Sequence, residues 1–274
     1  MEIRSFHEPD TGTWTYLLAD PDTGAAAVID PVWVYDPVGG QTDSDFIDTV
    51  LESARANGWR IEWVLETHAH ADHLSAAERV RSATGASLAC GAGITSVQRN
   101  FARVFNLPDL PTDGRQFDRL LRGGDTLQLG GLRIRVIETP GHTRDSITYL
   151  VGDAAFIGDT LFAPGAGTAR CDFPGGDAGL LYDSVMKLYD LPPQTRLFLC
   201  HDYPAEGAQA VCGVTVARSR AENIHIRDGV DKAGFVAQRE ARDETLGLPR
   251  LILPALQVNI LGGGAPAPED NGVS

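Results

Sequence analysis

The chain has 274 residues, of which 43% are hydrophobic, and a formal net charge of -14. That apolar content is normal for a packed globular chain and excludes disorder; no stretch approaches the ~20 consecutive apolar residues of a membrane span. The acidic balance argues against non-specific binding to nucleic acid or anionic membranes, while an anionic small substrate stays open because a metal and one local Arg can invert the field at a site.

The N-terminus, Met1-Glu2-Ile3-Arg4-Ser5-Phe6, lacks the basic-then-apolar pattern of an export signal. A cytoplasmic location is therefore expected. Residues 14–18 and 25–29 read as antiparallel strands around the turn-forming run Ala19-Asp20-Pro21-Asp22-Thr23-Gly24, and Asp30-Pro31 ends the second strand. Residues 38–42 form a Gly-rich loop, and 43–57 a helix closed by Gly58. The run Ile61-Glu62-Trp63-Val64-Leu65-Glu66 is rich in β-formers and reads as a buried strand.

Next comes Thr67-His68-Ala69-His70-Ala71-Asp72-His73, with three imidazoles and a carboxylate in six positions. Such groups are costly to desolvate unless something positive binds them, and a transition-metal ion suits imidazole and carboxylate donors. Residues 74–84 have helical spacing and end at Gly85, which places the cluster on a strand-to-helix turn, where α/β sheets commonly carry their sites.

Further along, residues 87–90 read as a strand and 94–106 as a helix, and 107–124 is polar and turn-rich. Residues 125–136 alternate apolar and polar around Gly130-Gly131, a hairpin with one solvated face. Strands at 146–151 and 154–157 follow, then a helix at 180–188, a buried strand at 196–200, and helices at 214–224 and 232–246. The Gly/Ala/Pro-rich stretch from about residue 262 reads as a flexible tail. No linker interrupts this order, so one domain spanning 1–274 is expected. Cys90, Cys171, Cys200 and Cys212 form no CxxC pair and are expected as free thiols. Cys200 neighbours His201, but adjacent strand residues point to opposite faces, which favours a buried thiol over a catalytic pair.

Three later residues extend the cluster. His142 lies in a tight turn, Thr139-Pro140-Gly141-His142-Thr143, after an apolar run; Asp159 and His201 each follow an apolar strand. All are expected to converge at one end of the sheets. With these residues in order, the chain resembles the metallo-beta-lactamase superfamily, whose HxHxDH signature Thr67-His68-Ala69-His70-Ala71-Asp72-His73 matches. The resemblance implies an α/β fold, an αββα sandwich of two mixed β-sheets flanked by helices, with the metal at the sheet edge. In binuclear members the matches to His68, His70 and His142 hold one metal, those to Asp72, His73 and His201 a second, and the Asp159 match bridges.

A narrower resemblance is to persulfide dioxygenases, a branch close to glyoxalase II. It rests on Leu65-Glu66-Thr67, Gly158-Asp159-Thr160-Leu161-Phe162, residues 167–173, Cys200-His201-Asp202-Tyr203 and Pro254-Ala255-Leu256-Gln257-Val258-Asn259. There the matches to His68, His142 and Asp159 hold one Fe(II), leaving an open face of the kind non-haem oxygenases require. His70, Asp72, His73 and His201 then tune the metal from outside its ligand set. The implied reaction passes both atoms of O2 to the outer sulfur of glutathione persulfide or a related persulfide, giving sulfite and the thiol.

Arg170 matches the family's Gly-Cys-Gly-Arg-Thr-Asp-Phe segment, here Gly167-Thr168-Ala169-Arg170-Cys171-Asp172-Phe173. It either holds a glutathione carboxylate or braces its loop against Asp172 or Asp177. Tyr203 is a second candidate substrate contact. The basic residues Arg218, Arg220, Arg227, Lys232 and Arg239 alternate with acidic ones and read as a solvated helix surface. The leading expectation is thus a persulfide dioxygenase with one Fe(II) per chain. The alternatives are a hydrolase of thioesters or lactones with one or two Zn(II), and a non-enzymatic sulfide or metal sensor. Expected partners are a small-molecule persulfide and O2, without nucleic acid or membrane, and a homodimer is allowed.

Overall fold

The computed structural model describes residues 1–204 and 207–266. One six-stranded sheet has the order β1 (Glu2–Glu8), β2 (Thr13–Ala19), β3 (Ala25–Ile29), β6 (Arg60–Leu65), β8 (Ser87–Gly91), β9 (Arg119–Leu121). Its first three strands are antiparallel neighbours, and β3, β6, β8 and β9 run parallel. A second six-stranded sheet has the order β10 (Thr126–Leu129), β11 (Leu132–Glu138), β12 (Ile147–Val151), β13 (Ala154–Phe156), β14 (Arg196–Phe198), β15 (Gly213–Thr215). Only its β13–β14 pair is parallel. A small sheet joins β5 (Gln41–Asp43), β4 (Val32–Asp36) and β7 (Leu74–Ser75).

Side-chain alternation builds four layers from these strands. Along β2, Trp14, Tyr16 and Leu18 enter the core between the sheets, while Leu17 and Ala19 face the outer helices. Residues Ala25, Ala27 and Ile29 of β3 likewise point inward, and Ala26 and Val28 outward. On the second sheet Ala154 and Phe156 meet the inner core, and Ala155 and Ile157 the opposite helical layer. The first outer layer holds α1 (Asp45–Ala56), α2 (Ala77–Thr84), α3 (Ile94–Val104) and α7 (Ile252–Asn259); the second holds α4 (Ala178–Tyr189), α5 (Val216–Glu222) and α6 (Lys232–Asp243). The result is the αββα sandwich that the sequence resemblance implies.

Several elements differ from expectation. The helix expected over 74–84 begins at Ala77, because Leu74 and Ser75 pair with β4 as a strand. The histidine cluster therefore occupies an irregular loop that leads into a short strand before any helix. Its C-terminal boundary stands, with Gly85 in the left-handed region at φ 75°. Part of the loop at 38–42 pairs as β5, and β9 emerges from the polar stretch 107–124. The helix expected over 214–224 starts at Val216, after edge strand β15. Helix α7 has no counterpart in the periodicity reading. Gly262 and Gly263, expected in a tail, are buried, and Gly263 donates to the Val258 carbonyl. Most of the expected tail, 267–274, lies outside the described residues. All four cysteines are free, and three of them are buried.

Candidate metal centre

Strand direction explains why distant residues meet. The parallel strands β3 and β6 end at the same edge, delivering Asp30 and the loop 66–73. In the second sheet β11, β13 and β14 share one direction and are followed by His142, Asp159 and His201. The two edges face each other, and His68, His70, His73, His142, Asp159 and His201 are all buried.

His68, His142 and Asp159 place their donor atoms within 4.8 Å of one another. Nε2 of His68 and Nε2 of His142 lie 4.0 and 3.7 Å from the same oxygen, Asp159 Oδ2. Ligands at ~2.1 Å from a shared ion are separated by at most about 4.2 Å, so these spacings suit one metal. The hydrogen bonds also fix the imidazole tautomers. Thr67 Oγ1 donates to Asp30 Oδ2 at 2.9 Å, so at 3.0 Å from His68 Nδ1 it accepts. His142 Nδ1 donates to the Arg170 carbonyl at 2.7 Å. In the neutral tautomer that these contacts select, Nδ1 carries the proton and each ring turns Nε2 toward Asp159, the form a metal needs.

His70 and His73 are fixed in the same manner. His70 Nε2 faces Asp30 Oδ1 at 3.1 Å and Glu66 Oε2 at 3.4 Å, and His73 Nδ1 faces the Leu74 carbonyl at 3.2 Å. The buried atoms His68 Nε2, His70 Nδ1 and His73 Nε2 have no hydrogen-bond partner. Each such orphan costs about 1–3 kcal/mol, which a bound cation removes at every nitrogen that ligates it. The donor set thus fits a metal. Burial, followed by the charge on His70, holds His68 well below the ordinary imidazole range and brings His73 down to about 3, which keeps both neutral.

His201 differs. Its Nδ1 meets Asp159 Oδ1 at 2.7 Å, and its Nε2 meets Asp72 Oδ2 at 2.6 Å and Thr13 Oγ1 at 3.0 Å. Burial opposes its charge, but Asp159 and Asp72 outweigh burial and raise its pKa well above the ordinary value. For Asp159, burial is again outweighed, by His201, His68 and His142, and its carboxyl is held below the usual range. His70, Asp72 and His73 form a second group with donors within 4.8 Å.

Outside the ligands, a cavity of about 560 Å³ opens from Asp72, His142, Asp159 and His201 past Phe162, Phe173 and Tyr203 to a rim of Arg242, Leu246, Pro249 and Arg250. Tyr203 stacks on His201, with ring centroids 6.0 Å apart. Arg170 lines this cavity, but its guanidinium is engaged. It grips Asp172 through Nε and Nη2, both at 2.6 Å, and Nη1 donates to the Gly247 carbonyl at 2.6 Å. Asp177, the other candidate brace, instead caps α4 by accepting from Leu180 N. Arg239, read as a solvated surface residue, is buried and paired with Asp243. Arg242 and Arg250 have no carboxylate partner among the described residues.

Sequence reasoning does not single out Asp30, Arg242, Arg250 or Asn259 for the site. Asp30 carries a usable signal, as a carboxylate directly after a buried strand at the same sheet edge. It adopts a left-handed φ of 49° and accepts from Thr67 N at 2.8 Å, which holds the start of the ligand loop. The two arginines carry none, because their approach to the cavity depends on how α6 and the segment between α6 and α7 pack.

The fold and the motif agree with a family model described as "Metallo-beta-lactamase superfamily", which matches residues 9–201. The chain belongs to the metallo-beta-lactamase superfamily. Within it, the chain is 50% identical to a Burkholderia pseudomallei protein named "Probable metallo-hydrolase", covering 100% of this chain and 97% of that one. It is 46% identical to a Xylella fastidiosa "Beta-lactamase hydrolase-like protein", covering 98% of this chain but only 62% of that relative's length. Among solved structures it resembles that of ETHE1 from Myxococcus xanthus, with a TM-score of 0.77 and 29% identity over 96% of this chain and 100% of the other.

Proposed function

We propose that this superfamily member is a mononuclear non-haem Fe(II) persulfide dioxygenase, with His68, His142 and Asp159 as the ligands. The observation that carries the reading is the convergence of Nε2 of His68 and Nε2 of His142 on one oxygen of Asp159, at 4.0 and 3.7 Å. The segments resembling persulfide dioxygenases and the likeness to ETHE1 over nearly the whole of both chains support the same choice. When bound, a two-His, one-carboxylate iron keeps open positions for O2 and a sulfur ligand.

The remaining steps fall to the chain's own residues. His201, anchored by Asp72, fixes the orientation of Asp159 through Oδ1 and leaves Oδ2 for the metal. Phe162, Phe173 and Tyr203 narrow the approach and limit water. Arg242 and Arg250 at the rim attract the carboxylates of a glutathione-type persulfide. Arg170, clamped to Asp172 and Gly247, braces the segment that carries both.

A hydrolase with two metals is the second reading. It is favoured by the His70, Asp72 and His73 group and by the names of the two curated relatives. Anaerobic loading with Fe(II), followed by oxygen uptake and sulfite assays with glutathione persulfide, decides between them. The proposal expects one iron per chain and one sulfite per O2. Two zinc ions per chain, with thioester hydrolysis and no oxygen uptake, would overturn it.

A further inference from the structure

One side chain from the far end of the chain reaches the centre of the ligand loop. Asn259, the last residue of α7, is 5% exposed. Its Nδ2 donates to the carbonyls of His70 and His73, each at 2.8 Å, and its Oδ1 accepts from Ser75 N at 2.7 Å. The amide therefore bridges three backbone groups that span Asp72, across 184 or more positions of sequence. Residues 66–73 have no ladder of their own, so these carbonyls find no partner in regular structure.

The helix is held on two sides. Leu251, Ala255 and Val258 pack with Leu74, whereas Leu256 and Ile260 enter the core against the first sheet. Gln98 Nε2 donates to the Ile260 carbonyl at 2.9 Å, fixing the helix end. Asn259 lies between these faces on a backbone that cannot readily shift. We infer that Asn259 is a positioning residue of the metal centre, which fixes the loop that carries His68, a ligand in either reading, together with His70, Asp72 and His73, and makes α7 part of the site. The inference rests on the presence of a metal centre, whether the ion is iron or zinc, and not on the dioxygenase reading.

Asn259→Asp is the discriminating variant. It keeps the shape and the acceptor for Ser75 N but turns one carboxylate oxygen toward two carbonyls. Loss of a group that orients metal ligands typically costs about 10- to 100-fold in metal affinity. Titration of metal-free protein with Co(II), read by its visible absorption, should show that loss together with a shifted band. Asn259→Ser, which keeps one hydroxyl donor and adds no charge, should fall between wild type and Asn259→Asp, and serves if the latter does not fold. Leu256→Ala loosens α7 without touching the amide; it should lower the melting temperature and leave the Co(II) spectrum unchanged. Wild-type affinity and spectrum in a folded Asn259→Asp or Asn259→Ser protein would overturn the inference. So would a spectral shift in Leu256→Ala as large as theirs, since helix packing alone would then explain the effect. No substrate enters the titration, so a wild-type protein that consumes no O2 leaves this test intact.

Discussion

At the scale of single residues, the chemistry depends on which atoms are free and which are engaged. Asp159 offers Oδ2 to two bare imidazoles and commits Oδ1 to His201. Asp159→Ala should therefore abolish iron binding and activity together, with the fold retained. His201→Ala should keep most of the iron and lower turnover, because it removes an orienting group and no ligand of the single-metal set. Metal analysis of both purified variants checks this, and equal metal loss in the two would refute the mononuclear assignment. The arginines divide in the same manner. Arg242→Ala and Arg250→Ala should raise KM for glutathione persulfide with little change in kcat, by about 1.5- to 5-fold each, as exposed ion pairs are worth about 0.2–1 kcal/mol. A carboxylate-free persulfide should be indifferent to either change. Arg170→Ala should instead lower the melting temperature and affect both substrates, because its guanidinium holds Asp172 and Gly247. Selective loss of the glutathione substrate in Arg170→Ala would return carboxylate recognition to that residue.

At the scale of elements, the site is built from loops that leave the strands at one sheet edge, and two glycines permit the close approach. Gly141 has φ +146°, and a Cβ there would lie 2.4 Å from the Leu181 backbone in α4. Gly158 has φ +52°, with its hypothetical Cβ 2.7 Å from Thr67 Oγ1 and 3.3 Å from His68 Nδ1. Each precedes a ligand by one position. Gly141→Ala and Gly158→Ala should each destabilise the fold by about 1–3 kcal/mol and weaken metal binding by displacing His142 or Asp159. Denaturant titration with parallel Co(II) binding measures both effects, and unchanged metal affinity would show that the turns tolerate the methyl group. Most of these elements are legible in the sequence because their period is simple. The strand Ala25–Ile29 and the hairpin of Thr126–Leu129 and Leu132–Glu138 emerge from apolar runs and alternation around turn residues. The apolar spacing at Leu74 fits helix and strand alike; its pairing with Trp33 decides for strand. Helix α7 escapes the periodicity reading because it is apolar on two sides, so no single stripe stands out.

At the scale of the whole molecule, the unpartnered imidazoles link metal binding to stability. An ion that binds only the folded state adds about 2.7 kcal/mol at 100 times its Kd, or roughly 5–10 °C in melting temperature for a chain of this size. Chelation should produce a loss of that order in calorimetry, and re-addition of metal should reverse it. A melting temperature indifferent to the metal would mean that the cluster does not hold one. At the same scale, no helix among the described residues is long and apolar enough to cross a membrane.

The sequence alone determined the superfamily, the sandwich and the seven-residue cluster, because metal donors must come as particular residue types at fixed spacing from strand ends. Adjacent positions in Thr67-His68-Ala69-His70-Ala71-Asp72-His73 need no knowledge of distant packing to be recognised. Only the tertiary structure decided which nitrogens are bare, that Asp72 and His201 pair with each other, that Arg170 is clamped while Arg242 and Arg250 are not, and that Asp30 and Asn259 hold the ligand loop. Several of those outcomes turn on hydrogen-bond partners far apart in sequence, 37 positions for Asp30 and Thr67 and 189 for Asn259 and His70. Local pattern carries no record of contacts at that separation, which exist only once the two sheets and their helices have packed.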